Sequence, residues 1–284
     1  GLAALLFGLI LLKICLTPLH AAKSLQDPII ASVSPTFSMT LMILCTYLTA
    51  WGMPVGIATV IWVLAVIIHF GLMIFFVSRH LLPQQKEWQM IYPSWFVTFV
   101  GIGVIPVTSG KFVPALGQPL FWLAFVIYVA VFPFVLHRVR TIPLPEATQP
   151  LLTIIAAPAS LCLTGYLASF THPNLAFATG MLIFAQCLYF LTLFSIRQYT
   201  RLSFYPSFAA FTFPLVISAT ALPRFIAIFA RKGLVHNLLS VLQWGEWLVA
   251  SLMLIFVTGH YLNFLRLTAK TVKQTATTTQ ELSD

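Results

Sequence analysis

Pro206-Ser207-Phe208-Ala209 opens a long hydrophobic run, and three earlier prolines open runs of the same kind. The earlier segments are Pro35-Thr36-Phe37-Ser38, Pro93-Ser94-Trp95-Phe96 and Pro150-Leu151-Leu152-Thr153. The four prolines are separated by 58, 57 and 56 residues. A period of this length holds two membrane-crossing helices and their turns, which indicates a repeated helical unit. Repeats arranged around an axis leave a space along it, which predicts a pore or transport path.

The composition is that of a membrane protein. Hydrophobic residues make up 60% of the 284 residues and charged residues 7%, whereas soluble domains carry about 25% charged residues. The net charge of +9 does not indicate nucleic acid, because the cations lie at helix ends and not in a basic patch with aromatic residues. The cysteines lie within apolar runs, without the spacing of a zinc site or a disulfide framework.

Nine apolar spans can be placed on the sequence. They cover approximately residues 1–19, 36–52, 54–78, 93–109, 115–138, 150–169, 174–197, 206–222 and 237–264. Short joints with breaker residues, such as Gly52-Met53-Pro54, predict antiparallel hairpins. We assign residues 1–266 to a transmembrane domain for anion transport and residues 267–284 to a polar cytoplasmic tail.

Basic residues predict the orientation. Eleven of the 15 Lys and Arg residues follow spans one, three, five and seven or lie in the tail, which places that side and the C-terminus in the cytoplasm. Arg79, Arg138 and Arg197 close one helix of successive hairpins. Four such hairpins follow one lone inward helix, so we expect a fifth partner helix upstream of Gly1. The predicted fold is all-α and integral to the inner (plasma) membrane, with ten helices in the complete protein and hairpins in a quasi-fivefold arrangement around a central pore.

The positions eight residues after the repeat prolines predict kinks. They are occupied by Ile43, Gly101, Pro158 and Pro214. Proline removes a helical hydrogen bond, and in lipid such breaks occur where the backbone faces protein or a water-filled cavity. Kinks at one depth in related helices would surround a common axis. The simpler interpretation of any one proline is that prolines are frequent in membrane helices.

The preceding positions form the predicted mid-membrane layer. They are Met42, Val100, Ala157 and Phe213. Phe213 is the bulkiest, and an aromatic ring in a narrow apolar channel blocks ions sterically and by dewetting. The alternative is that Phe213 simply packs, as most of the 25 phenylalanines must. Hydroxyl groups on the same helices can donate to an anion or bond back to their own helix; they belong to Thr98, Thr153, Thr212 and Ser218.

The distribution of acidic residues favours anions over cations. Glu246 alone falls within a span, between Trp244 and Trp247, and is interpreted as interfacial. Without a ring of intramembrane carboxylates, a cation channel or a proton-coupled relay is disfavoured. His69 and His260 also lie within spans, as interior hydrogen-bonded residues or as proton-sensitive elements. GxSxG, HExxH and P-loop signatures and metal-ligand spacings are absent, so we predict no enzyme activity, no cofactor and no metal.

Four stretches resemble the tellurite-resistance/dicarboxylate transporter family. They are Ser34-Pro35-Thr36-Phe37-Ser38, Tyr92-Pro93-Ser94-Trp95-Phe96, Ile154-Ile155-Ala156-Ala157-Pro158-Ala159 and Ala210-Phe211-Thr212-Phe213-Pro214. The family includes bacterial TehA proteins, the plant guard-cell slow anion channel and fungal malate and sulfite transporters. The similarity covers residues 1–266.

The resemblance implies a ten-helix protomer, usually in a homotrimer, with its own pore for small inorganic or organic anions. Five outward-running helices would line the pore, and a phenylalanine on the ninth family helix would occlude it. Aligned by Phe211-Thr212-Phe213-Pro214, that gate falls on Phe213. The first family helix has no counterpart here, and Ile43 or Leu44 stands where relatives often carry proline. Alternatives are a secondary carrier of dicarboxylate, sulfite or tellurite-type oxyanions, and a non-transporting receptor or scaffold.

Overall fold

The structure is a computed structural model that describes residues 2–82 and 90–281, with side chains for residues 4–82 and 90–270. In these ranges the regular elements are helices. The α-helices are α1 (Leu2–Leu16), α2 (Pro18–Ser24), α3 (Pro28–Val33), α4 (Thr36–Ala50), α5 (Val55–Phe76), α6 (Trp95–Val100), α7 (Val104–Thr108), α8 (Gly117–Thr141), α9 (Ala157–Ser169), α10 (Leu175–Tyr199), α11 (Thr212–Phe229) and α12 (Gly233–Glu281). The 3₁₀ segments are Gly101–Gly103, Ser109–Lys111, Pro114–Leu116, Glu146–Ala156 and Pro206–Phe211, and a π-helical turn, Val77–Leu81, ends α5.

Each of the nine predicted spans is helical in the structure. Seven helical stretches are long and apolar enough to cross a membrane: Pro28–Ala50, Val55–Leu81, Pro114–Thr141, Glu146–Ser169, Leu175–Tyr199, Pro206–Phe229 and Gly233–Lys270. Trp95–Lys111 is a shorter apolar helix, and the bent pair α1–α2 is an eighth possible span. The last helix, α12, runs beyond residue 266 into the predicted tail as far as Glu281.

The first predicted span, approximately residues 1–19, is broken near its end in the structure. Helix α1 ends at Leu16, and the chain bends by 108° before α2 begins at Pro18. Thr17 has φ −134° and ψ 60°, because a residue before proline is kept out of the helical region. Pro18 then occupies the first position of a new helix, where its missing N–H costs nothing.

The four proline-opened segments form an inner row that follows the chain. Helix α4 packs against α7, α7 against α9, and α9 against α11. The return helices lie behind this row: α5 on α4, α8 on α6, α7 and α9, α10 on α9 and α11, and α12 on α11. Each repeat therefore contributes one inner and one outer helix, as the hairpin period predicts.

The outer helices present a continuous apolar surface. Phe194 and Ile183 on α10 are 85% and 60% exposed, and Val241 on α12 is 74% exposed. Apolar surface of this extent is unfavourable in water but is what a lipid-facing helix presents. The chain is therefore a multi-pass membrane protein.

Candidate functional site

The inner helices change their hydrogen-bonding pattern near the predicted kink positions. Helix α6 gives way to a 3₁₀ turn at Gly101. In the third repeat the 3₁₀ segment ends and α9 begins at Ala157, and in the fourth α11 begins at Thr212. Such changes mark local strain or a functional hinge. Helix α4 instead continues unbroken through Met42 and Ile43, consistent with the absence of proline or glycine there.

The four residues of the predicted mid-membrane layer all belong to the main hydrophobic core or pack against it. Met42, Val100 and Ala157 are buried members of that core, and Phe213 is half-buried against it. Ile43 also packs against the core from α4. Pro158 and Pro214 are buried one position beyond the layer. Phe213 is therefore the one partly exposed residue of the four, and their common height in the membrane stays a prediction.

Gly101 allows close packing behind the inner row. A Cβ atom on Gly101 would lie 2.9 Å from Met39 Sδ and 3.0 Å from His69 Cε1. Contacts this short force neighbouring atoms to move. Gly103 is similar, since its Cβ would lie 3.0 Å from Leu161 Cγ. At these two positions the small residue serves helix approach.

Side chains from neighbouring helices satisfy the carbonyl groups that two prolines leave without a helical donor. Pro214 has no N–H for the Ala210 carbonyl, and Thr153 Oγ1 donates to that oxygen at 2.8 Å. Thr153 belongs to the preceding repeat, so this bond ties two inner segments together beside Phe213. Irregular backbone within a membrane requires such partners.

The same arrangement recurs at the second proline of α11. Pro223 leaves the Ala219 carbonyl without its helical donor. Trp247 Nε1 on the outer helix α12 donates to that oxygen at 2.7 Å. The last inner helix is thus held from both sides at its proline breaks.

The two intramembrane histidines lie in different environments. His69 on α5 is fully buried, and its Nδ1 is 2.9 Å from Ser38 Oγ on α4. Its Nε2 has no hydrogen-bond partner among the described residues. His260 on α12 instead stacks on Phe204 with ring centroids 5.8 Å apart. His69 therefore links α5 to α4 behind Gly101, while His260 belongs to an aromatic cluster.

Two bonds join the third and fourth repeats near the starts of their inner segments. Ser207 Oγ donates to the Ala147 carbonyl at 2.6 Å. The Tyr205 hydroxyl donates to Glu146 Oε1 at 3.2 Å, and this bond raises the pKa of Tyr205 above its usual value. The starts of the two inner segments are therefore fixed relative to each other.

Arg138, one of the predicted cytoplasmic cations, is buried and engaged by neighbouring groups, unlike the other arginines at the helix ends. It is 2% exposed, donates to the Ile142 carbonyl and lies 5.9 Å from the centre of the Tyr92 ring. Arg79, Arg140 and Arg197 are exposed at the ends of their helices.

The sequence profile of the voltage-dependent anion channel family, SLAC1, matches residues 1–262. The chain belongs to this family. The match includes all four inner segments and confirms the resemblance drawn from the proline motifs. A comparison with individual curated proteins gives no significant match.

Membership of the anion channel family establishes the general activity. The protein transports anions across a membrane, and proteins of this family are channels or transporters, not enzymes. This agrees with the sequence, which carries no catalytic signature.

Glu246 is the polar residue whose environment the sequence did not indicate. The sequence predicts an interfacial residue beside two tryptophans, whereas in the structure Glu246 is 1% exposed and is buried between helices. It lies on the same face of α12 as Ala250 and Val257, which are also buried. The spacing of Glu246, Ala250 and Val257 on one helix face could have indicated burial from the sequence. The nearby Trp244 and Trp247 favoured an interfacial interpretation instead.

Proposed function

We propose that this family member is an anion channel of the TehA and slow-anion-channel type, with a pore inside each protomer that Phe213 occludes. The inner helices α4, α6–α7, α9 and α11 would line the pore. The observation that carries the proposal is the position of Phe213. It follows a change of helix type in the last inner segment and packs, partly exposed, against the main hydrophobic core, to which Val100 and Ala157 also belong.

Charge supports selectivity for anions. The inner segments carry no carboxylate except Glu146, at the cytoplasmic start of one of them. Exposed arginines lie at the cytoplasmic ends of the outer helices. Anions would be attracted to that end and would meet no repelling charge along the path.

The hydroxyl groups of the inner helices favour a channel over a carrier. A carrier would need free donors for its anion, but Thr98 Oγ1 donates to the Ser32 carbonyl at 2.7 Å and Thr212 Oγ1 to the Ala209 carbonyl at 2.8 Å. Thr153 is engaged by Ala210 and Pro150. These three donors hold the backbone and the fourth hydroxyl group, of Ser218, faces the carboxyl group of Glu246, so an oxyanion carrier of dicarboxylate, sulfite or tellurite type is the weaker alternative.

We place the protein in the plasma membrane with its C-terminus in the cytoplasm, as a homotrimer of independent pores. The excess of Lys and Arg on one side supports the orientation. The trimer rests on the resemblance to the tellurite-resistance/dicarboxylate transporter family.

The test is the conductance of Phe213→Ala in planar bilayers. Removing the ring from the proposed gate should raise the anion current from a negligible level, with chloride or nitrate preferred over sodium. Phe194→Ala is the matched control, because Phe194 is 85% exposed on an outer helix; its current should equal that of the wild type. An unchanged, negligible current in folded Phe213→Ala protein would contradict the gate. Saturable flux coupled to a gradient, without release by the substitution, would favour the carrier.

A further inference from the structure

A second polar site lies behind the inner row, where three helices meet. Glu246 on α12 faces the side chains of Gln186 on α10 and Ser218 on α11. Glu246 and Ser218 are each 1% exposed. A buried carboxyl group within a membrane-spanning helix is costly, and such groups commonly mark functional sites.

The polar oxygen atoms of this site lie close together but are poorly paired. Gln186 and Ser218 approach the carboxyl group of Glu246, yet no hydrogen bond of normal geometry within the described residues involves either carboxyl oxygen, Gln186 Oε1 or Ser218 Oγ. An oxygen atom buried without a donor loses its hydration without compensation. A ligand that supplies a donor or a positive charge would remove this cost.

Among the described residues, no side chain forms an ion pair with Glu246. Helix α11 carries one charged residue, Arg224, which lines a groove of about 390 Å³ together with Trp247 and makes no hydrogen bond to Glu246. The 3₁₀ segment Pro206–Phe211 carries no ionisable side chain. On α10, Tyr189 is the ionisable residue whose charge interacts with Glu246, and a phenolate would only repel a carboxylate. The exposed Arg197 lies at the far, cytoplasmic end of α10.

We propose that Glu246, Gln186 and Ser218 form an intramembrane proton-binding site. A proton taken up by the Glu246 carboxylate gives a neutral carboxylic acid with one O–H donor, which the orphaned Gln186 Oε1 can accept. A hard metal cation fits less well. Ca²⁺ takes six to eight oxygen ligands, whereas these three side chains provide four oxygen atoms.

The site also acts on the proposed gate, a step that rests on the proposed function. Ser218 lies five residues after Phe213 on α11. Trp247, adjacent to Glu246, donates to the Ala219 carbonyl, adjacent to Ser218, at 2.7 Å. The same turn of α12 thus contacts α11 through two neighbouring residues. Gain or loss of the proton changes the contact between α12 and α11 at Ser218. The position of α11, which carries Phe213, then changes with pH, and the anion flux changes with it.

Proton binding is tested first, without any measurement of transport. Infrared difference spectra of the reconstituted protein between acidic and alkaline buffer should contain the C=O stretch of a buried protonated carboxyl group. That band should be lost in Glu246→Gln, which keeps the size of the side chain. It should remain in Glu146→Gln, which removes an exposed carboxyl group. A band identical in wild type and Glu246→Gln would overturn the site, and so would a band that appears only when sodium is removed.

Coupling to transport is tested on the same proteins in liposomes. Anion flux through the wild type and through Glu146→Gln should change with pH by up to about tenfold. That is the largest change expected if the proton affinity of Glu246 differs about tenfold between two arrangements of α11. Glu246→Gln should show a flat profile, and Ser218→Ala a displaced one. A pH profile in Glu246→Gln equal to that of the wild type would overturn the coupling. Because the infrared band is independent of Phe213, failure of the gate and failure of the proton site are distinguishable.

Discussion

Two membrane-spanning segments, Glu146–Ser169 and Gly233–Lys270, have nearly equal mean hydropathy, 1.8 and 1.7, but opposite environments. In their most apolar stretches, 83% of the residues of the first are buried and 11% of those of the second. The first is rich in small residues such as Ala157 and Gly165, whereas the second exposes large aliphatic residues such as Val241. Hydropathy therefore identifies spans, while residue size separates inner helices from outer ones.

The largest difference between the two kinds of helix is expected when a glycine on an inner helix is replaced by a larger residue. A Cβ atom on Gly165 would lie 3.1 Å from Pro106 Cγ and 3.5 Å from the Gly103 carbonyl oxygen. Neither the proline ring nor the backbone can move away easily, so Gly165→Leu should cost about 3 kcal/mol of unfolding free energy. Denaturation in mixed detergent micelles measures this loss.

Gly180→Leu on the outer helix α10 is the matched control. A Cβ atom on Gly180 would meet no atom within 4 Å, so the change should stay within about 0.5 kcal/mol. Equal destabilisation by the two substitutions would show that small residues do not distinguish the inner row.

A smaller effect is expected from Thr153→Val. This change keeps the shape of the side chain but removes the hydroxyl group that donates to the Ala210 carbonyl. Because Pro214 has no N–H, that carbonyl also lacks its helical donor. Hydrogen bonds between membrane helices contribute about 0.6 kcal/mol on average and up to about 1.7, so a loss near 1 kcal/mol is expected in the same assay.

Thr59→Val sharpens this prediction, because the Thr59 hydroxyl bonds only to the Val55 carbonyl of its own helix, at 2.8 Å. Thr59→Val should therefore lower the free energy of unfolding by less than Thr153→Val does. The reverse order would mean that the bond between repeats does not support the proline break.

Much of the fold could be predicted from the sequence because the repeat has strong local signals. Proline opens each inner helix and apolar runs define the spans. Three of the four inner segments change helix type close to the residues singled out by the period, Gly101, Pro158 and Pro214. The uninterrupted α4 has no such residue at Ile43, and local chemistry accounts for that difference too.

The rest depended on tertiary packing. No local pattern states that Gly101 faces Met39 and His69, because the face that a helix turns to its neighbours is fixed by the neighbours. Tryptophans beside Glu246 are typical of a membrane interface, yet α12 turns that carboxyl group towards α10 and α11. The end of α1 was missed because the apolar run continues past the break at Thr17.

The central claim, that the inner helices surround an anion path closed at the Phe213 layer, is tested most directly by thiol modification. The measurement is the anion current of Phe213→Ala, Ala157→Cys protein, without its native cysteines, before and after an anionic methanethiosulfonate reagent. Ala157 is buried in the core and belongs to the predicted layer, so a negative charge added there should abolish the current. The same reagent on Ile183→Cys, on the lipid-facing side of α10, should leave it unchanged. A current that persists after complete modification at residue 157 would contradict the account.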